Sequence, residues 1–433
     1  MKKYVILSFI PAFFLWMLAG CGGGGGTTST TTTTTPPPTT NTLACDADLQ
    51  SGVSLSITQV PQSMGTTYTG FFCKYMEVIA PNQKPIRIFA QNQISNEQLV
   101  RAHRILKFFL TPVEASAHGA DKSDVVNAMA NNNAQLLLLN GSDDGSNNPP
   151  SGVDGQPLYD TELVVEGTEA YINNDYENHR DAAFEEILHL VHDYGIGTTG
   201  SGGNPTYQAV IDSARENAMS NSLWPTAGVD TSTLNWIEEL RQEGSLSQEY
   251  LASVIDSYYG YWGAYTESEG GMWGIYIAKV REDVASKDPQ GYAAIQQFFG
   301  QTVTYLARID SGFNGTFMLS FDPAVTPYTH KSQYLVNAQL TGSNDSNLTG
   351  NDHDNRLAGN AGTNILDGKQ GTDTAFFQGN FSEYSTNIVE NIITVQDMTS
   401  NRDGVTELRN IERLEFKDQT LLFTNGELIK ETL

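Results

Sequence analysis

A gapless nine-residue repeat constrains the C-terminal part of this chain more than any other feature. It starts at Thr341 and reads TGSNDSNLT, GNDHDNRLA, GNAGTNILD, GKQGTDTAF. The first place is threonine and then, in the next three units, glycine. The eighth place is apolar throughout and holds Leu348, Leu357, Leu366 and Ala375. Any fold of this segment therefore has to repeat its backbone every nine residues.

The repeat resembles the G-G-x-G-x-D-x-U-x unit of the RTX, or hemolysin-type, calcium-binding family. In that family the apolar eighth residue packs inside a parallel β-roll, and glycine-rich turns with Asp side chains hold calcium between successive turns. The resemblance implies a small parallel β-roll over residues 340–379, and residues 380–433 are similar to the β cap of such rolls.

The sixth place, where that family has its calcium-binding Asp, holds Ser346 and then the candidate calcium ligands Asn355, Asn364 and Asp373. Asparagine offers an oxygen without a charge, and calcium affinity depends on the number of charged ligands. We expect one or two weak sites, with Asp373 as the best ligand. The alternative is a roll that its leucines hold together without bound metal.

The N-terminus predicts export. Two lysines precede the apolar run YVILSFIPAFFLWMLAG, which ends at Cys21, and this order is typical of a signal peptide over residues 1–20. LAGC resembles a bacterial lipobox, which implies a lipidated Cys21 and a membrane-anchored lipoprotein at the outer membrane or cell surface. The alternative is an ordinary signal peptide with an incidental cysteine. Residues 21–42 are rich in Gly, Thr and Pro and predict a tether.

The remaining cysteines and the charge restrict the partners. Cys45 and Cys73 in an exported chain predict one disulfide, with two free buried thiols as the alternative. The chain has 24 basic and 50 acidic residues, which argues against nucleic acid or anionic lipid as a charge-recognised partner and favours divalent cations.

Residues 43–330 read as a mixed α/β body. The alternating segment Lys84–Gln91 predicts a strand, and Ser95 with Gln98 predicts a capping box at the start of a helix. The segment Glu162–Gly167, ELVVEG, predicts a further strand. The sequence FEEILHLVH that follows predicts a helix with an apolar stripe (Phe184, Ile187, Leu188, Val191) and an adjoining polar stripe (Glu185, His189, His192).

Part of this helix resembles the H-E-x-x-H motif of zinc peptidases. Glu186 and His189 stand in the general-base and second-ligand places, and Glu185 replaces the first histidine. A later helix opens with Glu249-Tyr250-Leu251-Ala252, similar to the third-ligand helix of gluzincins of the anthrax lethal factor-like branch. The resemblance implies an α+β zincin-like domain, a protein or peptide substrate, a catalytic Glu186, and zinc held by Glu185, His189, His192 and Glu249.

Two functions follow from these features. The first is a surface-tethered, zinc-dependent peptidase or hydrolase with calcium-binding repeats. The second is a catalytically inactive, calcium-binding adhesin or binding protein. The missing first histidine favours the second function, whereas the ordered Glu/His stripe and the helix at Glu249 favour the first. A zincin-like fold that has lost catalysis, or a helix without any site, also remains open.

Overall fold

The computed structural model describes residues 57–198 and 202–431. The predicted signal peptide, the tether, Cys21 and Cys45 lie outside these ranges, so the predictions on them stay predictions. Cys73 is buried and disulfide-bonded. Within the described ranges, no helix combines the length and the apolar character needed to cross a bilayer.

The fold is mixed α+β, with a strand-rich C-terminal region. The helices are α1 (Thr66–Thr69), α2 (Asn96–Leu110), α3 (Ser123–Asn131), α4 (Glu169–Asn173), α5 (Ala183–Val191), α6 (Pro205–Ser220), α7 (Thr231–Glu243), α8 (Leu246–Tyr258), α9 (Arg281–Lys287), α10 (Pro289–Gln296) and α11 (Thr329–Ser332). The N-terminal strands are β1 (Thr58–Gln59), β2 (Lys74–Ile79), β3 (Pro85–Ala90), β4 (Gln135–Leu139) and β5 (Gln156–Tyr159).

These five strands form one sheet in the order β1-β2-β3-β4-β5. The first three pair antiparallel, and β3, β4 and β5 pair parallel. All five residues of β4 are buried because both faces of the sheet are covered. Leu136 and Leu138 belong to the main core with the helices, while Leu137 and Leu139 belong to a smaller core on the other face. This run of leucines is typical of a strand buried on both sides.

The predicted strand at Lys84–Gln91 is confirmed as β3, and the predicted capping box is confirmed at the start of α2. Ser95 Oγ accepts the Gln98 N–H, and the Gln98 side chain accepts the Ser95 N–H. The buried face of α2 carries Arg101, whose two terminal guanidinium nitrogens donate to the Asp181 carboxylate at 2.9 and 2.7 Å. Its Nε binds Glu166 at 2.9 Å. Arg101 therefore ties α2 to the segment that leads into α5.

The prediction of a strand at Glu162–Gly167 is wrong. The strand before α5 is β5, and the chain then forms a short 3-10 turn in which the Glu162 carboxylate accepts the Tyr159 N–H at 3.1 Å. Leu163 and the two valines that follow it are buried, and Leu163 and Val164 belong to the main core, but none of the three joins a sheet. An apolar run of this length indicates burial and does not by itself indicate a strand.

Residues 303–431, called the two-sheet segment below, contain the remaining strands. These are β6 (Val303–Ile309), β7 (Thr316–Met318), β8 (Leu335–Leu340), β9 (Asn347–Thr349), β10 (Arg356–Ala358), β11 (Thr363–Asp367), β12 (Thr374–Phe376), β13 (Tyr384–Val389), β14 (Ile392–Asp397), β15 (Val405–Arg409), β16 (Arg413–Glu415), β17 (Thr420–Thr424) and β18 (Glu427–Lys430). One sheet has the order β18-β17-β16-β12-β10-β8-β6, and the other has the order β13-β14-β15-β11-β9-β7.

Strands β6 to β12 alternate between the two sheets. Neighbours from β6 to β16 pair parallel in each sheet, apart from the pairs β13–β14 and β14–β15, which are antiparallel. Leu366 pairs with Leu348, and Ala375 pairs with Leu357, so paired residues are two repeats apart. All four eighth-place residues are at most 1% exposed. The sheets also take in β6 and β7, which precede the predicted start at residue 340.

The buried side chain of Lys122 makes the folding stability of the α/β part depend on pH. Its ammonium group is 1% exposed, donates to the Phe109 carbonyl at 2.7 Å and lies 4.3 Å from the centre of the Phe298 ring. Burial lowers the pKa of Lys122 to about 7. Since the unfolded chain binds the proton up to a higher pH, this group makes folding more favourable as the pH rises from about 7 to 10.

We expect the free energy of unfolding of the parent, relative to Lys122→Met, to rise by up to about 1.4 kcal/mol per pH unit in this window. Urea denaturation at several pH values measures it. Lys287→Met, at a half-exposed position, is the control. Its free energy of unfolding should change with pH in the same way as that of the parent. The prediction would be contradicted if the free energy of unfolding of Lys122→Met also changed with pH in the same way as that of the parent.

Candidate metal centre

Helices α5 and α8 bring three of the four predicted zinc ligands together. Glu185 and His189 lie one turn apart on α5, and Glu249 lies in the first turn of α8, which packs on α5. One ligand atom from each of the three side chains lies within 4.8 Å of the other two. A histidine nitrogen and two carboxylate oxygens are donors that divalent metals accept, so this group can bind a metal ion.

The group is buried and rich in carboxylates. Glu185 and His189 are each 4% exposed and Glu249 is 8% exposed. Burial, together with the carboxylates of Glu185 and Glu186, raises the pKa of Glu249 to about 7 against the lowering effect of His189. Burial lowers the pKa of His189, but Glu249 and Glu186 outweigh this effect and raise it to about 10. Buried negative charge of this kind favours a cation among the carboxylates.

One ring nitrogen of His189 is buried next to a carboxylate but makes no hydrogen bond in the part of the chain that the structure describes. His189 Nε2 is buried, lies 3.7 Å from Glu249 Oε1 and makes no hydrogen bond within the described chain. On the other side of the ring, Nδ1 lies 3.5 Å from Glu186 Oε2. The raised pKa of His189 keeps both ring nitrogens protonated in the metal-free protein. A metal at Nε2 would displace that proton, and the Glu186 carboxylate would keep the other proton on Nδ1.

Glu186 is held on the side of α5 that faces the sheet. It is 4% exposed, and its Oε2 accepts a hydrogen bond of 2.6 Å from the side-chain amide of Gln156, at the start of β5. The contact with His189 Nδ1 was not foreseen from the motif, which assigns this glutamate to the reacting water. The edge strand thus fixes the rotamer of a carboxylate that touches the candidate ligand.

His192 lies outside the group. The α-helical hydrogen bonding of α5 ends at Val191, and His192 opens a π-helical turn that runs to Ile196. Its Nε2 lies 2.6 Å from Gln208 Oε1 on α6, and burial lowers the pKa of His192 to about 4. The prediction counted His192 on the same stripe as His189, but the structure directs its Nε2 toward α6.

A buried arginine already contacts the group. Arg180 Nη1 lies 2.6 Å from Glu185 Oε2 and 3.5 Å from Asp256 Oδ2, and its guanidinium lies 5.0 Å from the centre of the Trp273 ring. Arg180 Nη2 and Asp256 Oδ1 are buried and make no hydrogen bond within the described residues. Any metal bound by Glu185 therefore shares this carboxylate with a guanidinium.

Sequence reasoning missed both Arg180 and Asp256. Asp256 follows Glu249 by seven positions on α8, so both lie on the same face of that helix, and this spacing was a usable signal. Arg180 precedes the helix by a few residues in an irregular segment, where no periodicity indicates the direction of a side chain.

The candidate calcium ligands Asn355 and Asn364 are fully engaged by the protein. The Asn364 amide nitrogen donates to the Ser346 carbonyl at 2.8 Å and to Asn360 Oδ1 at 2.9 Å, and its oxygen accepts the Asn360 N–H at 2.8 Å. Asn355 repeats this pattern one unit earlier, with Asn351 in the place of Asn360. These amide N–H groups donate to backbone carbonyl oxygens of the preceding turn. A cation bound between the turns would have to face the same oxygens.

The last sixth-place residue differs. Asp373 Oδ1 accepts the Asn355 N–H at 2.7 Å, but its Oδ2 is buried and makes no hydrogen bond within the described residues. Burial, with a smaller contribution from the Glu412 carboxylate, raises the pKa of Asp373 to about 7. The second place of this unit changes as well, since Lys369 stands where earlier units have Asn351 and Asn360. Calcium binding at Asp373 stays a prediction.

Comparison with protein-family models and with curated proteins finds no match to the chain. The resemblances to zincins and to RTX proteins therefore depend on the motif residues themselves.

Replacing Arg180 tests whether the carboxylates around α5 need a cation. In Arg180→Met, Glu185 and Asp256 stay buried without the guanidinium, and we expect the free energy of unfolding of the metal-free protein to fall by about 3–5 kcal/mol. Urea denaturation in EDTA measures this loss. Arg241→Met removes an exposed arginine paired with Glu238 and should cost less than about 1 kcal/mol. Equal losses in the two variants would refute the prediction.

Proposed function

We propose that this chain is a surface-tethered lipoprotein whose α/β part is a zincin-like, zinc-dependent peptidase or hydrolase. The convergence of Glu185, His189 and Glu249 from two adjoining helices carries this proposal. The buried Nε2 of His189 supports it, because a buried polar atom ordinarily has a hydrogen-bond partner and this one has none within the described residues. Zinc fits a set of one imidazole and two carboxylates.

Each residue around His189 has a defined role in the proposed chemistry. Zinc bound here supplies Lewis-acid chemistry and lowers the pKa of water. Glu185, His189 and Glu249 provide the ligand atoms, and Arg180 fixes the Glu185 carboxylate. Glu186 has two candidate roles. The motif predicts a general base that takes a proton from water, whereas the 3.5 Å contact with His189 Nδ1 supports a positioning role for this carboxylate.

A second candidate function is a non-catalytic surface-binding protein, and the Arg180–Glu185 ion pair favours it. In that case the guanidinium supplies the positive charge that a metal supplies in a peptidase. The group around His189 is then a buried polar network that stabilises the packing of α5 on α8. The two functions differ in whether the purified protein retains zinc.

Zinc content and proteolysis separate these functions. We expect the parent to bind about one zinc per chain and to cleave an unfolded protein substrate such as casein. His189→Ala should lose both properties, whereas His179→Ala, which removes a half-exposed histidine, should keep both. Metal analysis after dialysis and fluorescent casein hydrolysis are the measurements. A parent without zinc that cleaves nothing beyond the His189→Ala background would eliminate the peptidase function.

Glu186→Gln distinguishes the two roles of Glu186. Loss of a general base leaves zinc affinity intact and abolishes turnover. Loss of a positioning carboxylate weakens zinc binding by about 10–100-fold, because partners of a ligating histidine tune its affinity by that amount. Zinc titration and casein hydrolysis on the same preparation measure both effects. Parental zinc affinity together with parental turnover would exclude both roles.

We also propose that the two-sheet segment is a parallel β-roll of the RTX type in which calcium binding is restricted to the turn at Asp373. Millimolar calcium should raise the melting temperature of this segment by about 2–4 °C relative to EGTA, which corresponds to about 1 kcal/mol. Asp373→Asn should abolish the difference, and Asp352→Asn, at an exposed turn position, should keep it. Identical melting curves of the parent in calcium and in EGTA would disprove calcium binding.

A further inference from the structure

A groove of about 370 Å³ lies where β3 and β4 end. The two strands run parallel, and their carboxyl ends are at Ala90 and Leu139. The residues that follow each strand line the groove, together with the loop before β2. Crevices at the carboxyl ends of parallel strands are common ligand sites, and a volume of about 300–1,000 Å³ is typical of them.

The lining carries no charged side chain, although the chain has 50 acidic residues. It consists of two glycines, one aromatic ring and four carboxamides, which are Gln91, Gln93, Asn140 and Asn147. Each carboxamide offers a donor and an acceptor side by side. An anionic ligand would find no cationic side chain here, and a cationic ligand would find no carboxylate.

The carboxamides are held in place by one another. Gln91 is 3% exposed, and its Oε1 accepts the Asn140 N–H at 2.8 Å and the Asn147 amide at 2.7 Å. The same Asn147 nitrogen also donates to the Asn140 carbonyl at 2.9 Å. Gln93 is exposed, and its side chain makes no hydrogen bond within the described residues. The groove thus combines a fixed floor with one carboxamide that is free to bind.

Phe71 supplies the apolar surface of the groove. Its ring packs edge-on against Phe72, with ring centres 4.9 Å apart and planes at 88°, and it borders the smaller core of the sheet. The ring is half-buried, which fixes one face and leaves the remaining surface for contact.

We propose that this groove binds a neutral carbohydrate. Sugar hydroxyl groups both donate and accept hydrogen bonds, and the free carboxamide of Gln93 offers a matching acceptor and donor. The C–H face of a pyranose ring packs on an aromatic side chain, which is the role of Phe71. The absence of charged side chains from the lining selects against sugars that carry carboxylate, sulfate or phosphate groups. This site is separate from the group around His189 and does not depend on metal.

The full chain in detergent is applied to an array of neutral oligosaccharides of glucose, galactose, mannose and N-acetylglucosamine, beside oligosaccharides with uronic acid or sulfate groups. Binders are then titrated by calorimetry. Phe71→Ala should weaken the binding of a neutral oligosaccharide by about tenfold, and Gln93→Ala by about threefold. The matched controls are Phe321→Ala, at an aromatic residue that is 51% exposed, and Gln290→Ala, at an exposed amide.

Both control variants and His189→Ala should keep the parental affinity. The proposal is overturned if no neutral oligosaccharide binds the parent more tightly than it binds Phe71→Ala. It is also overturned if the charged oligosaccharides are preferred, or if Phe321→Ala weakens binding as much as Phe71→Ala does. Circular dichroism of each variant shows whether a loss of binding reflects a loss of fold.

Discussion

Two buried arginines hold the α/β part of this protein together around α5. Arg101 bridges Glu166 and Asp181 in the segment before α5, while Arg180 bridges α5 and α8 through Glu185 and Asp256. A buried carboxylate without a cation is costly, so these pairs fix the direction of the chain into α5. The arginines leave Glu186 and Glu249 beside His189 without a guanidinium, and the group of Glu185, His189 and Glu249 could bind a metal ion.

The C-terminal two-sheet segment solves the same electrostatic problem differently. Its turns bring carbonyl oxygens close together, and neutral amides from Asn351, Asn355, Asn360 and Asn364 donate to them. An amide donor carries no charge that needs compensation in the interior. The turn at Asp373 lacks such an amide, and Oδ2 of the Asp373 carboxylate is buried there without a hydrogen bond within the described residues.

Much of this arrangement could be predicted from the sequence, because the signals were local. The capping box at Ser95, the apolar stripe of α5 and the nine-residue period each depend on residues within one or two turns of chain. The prediction of a strand at Glu162–Gly167 was wrong because a buried loop and a paired strand can have the same run of apolar residues. His192 lies outside the group around His189, unlike the prediction, because a π-helical turn changes the helical periodicity after Val191. Arg180 could not be found, since its partners Glu185 and Asp256 meet only in the folded chain.

The amides of the two-sheet segment also give the stack of turns a direction. Asn364 donates to the carbonyl of Ser346, and Asn355 donates to that of Val336, so the donor always belongs to the later turn and the acceptor to the earlier one. A ribosome releases the chain in the same order. Each newly made turn therefore meets a finished row of acceptors, and the stack can grow from β6 toward the C-terminus one unit at a time.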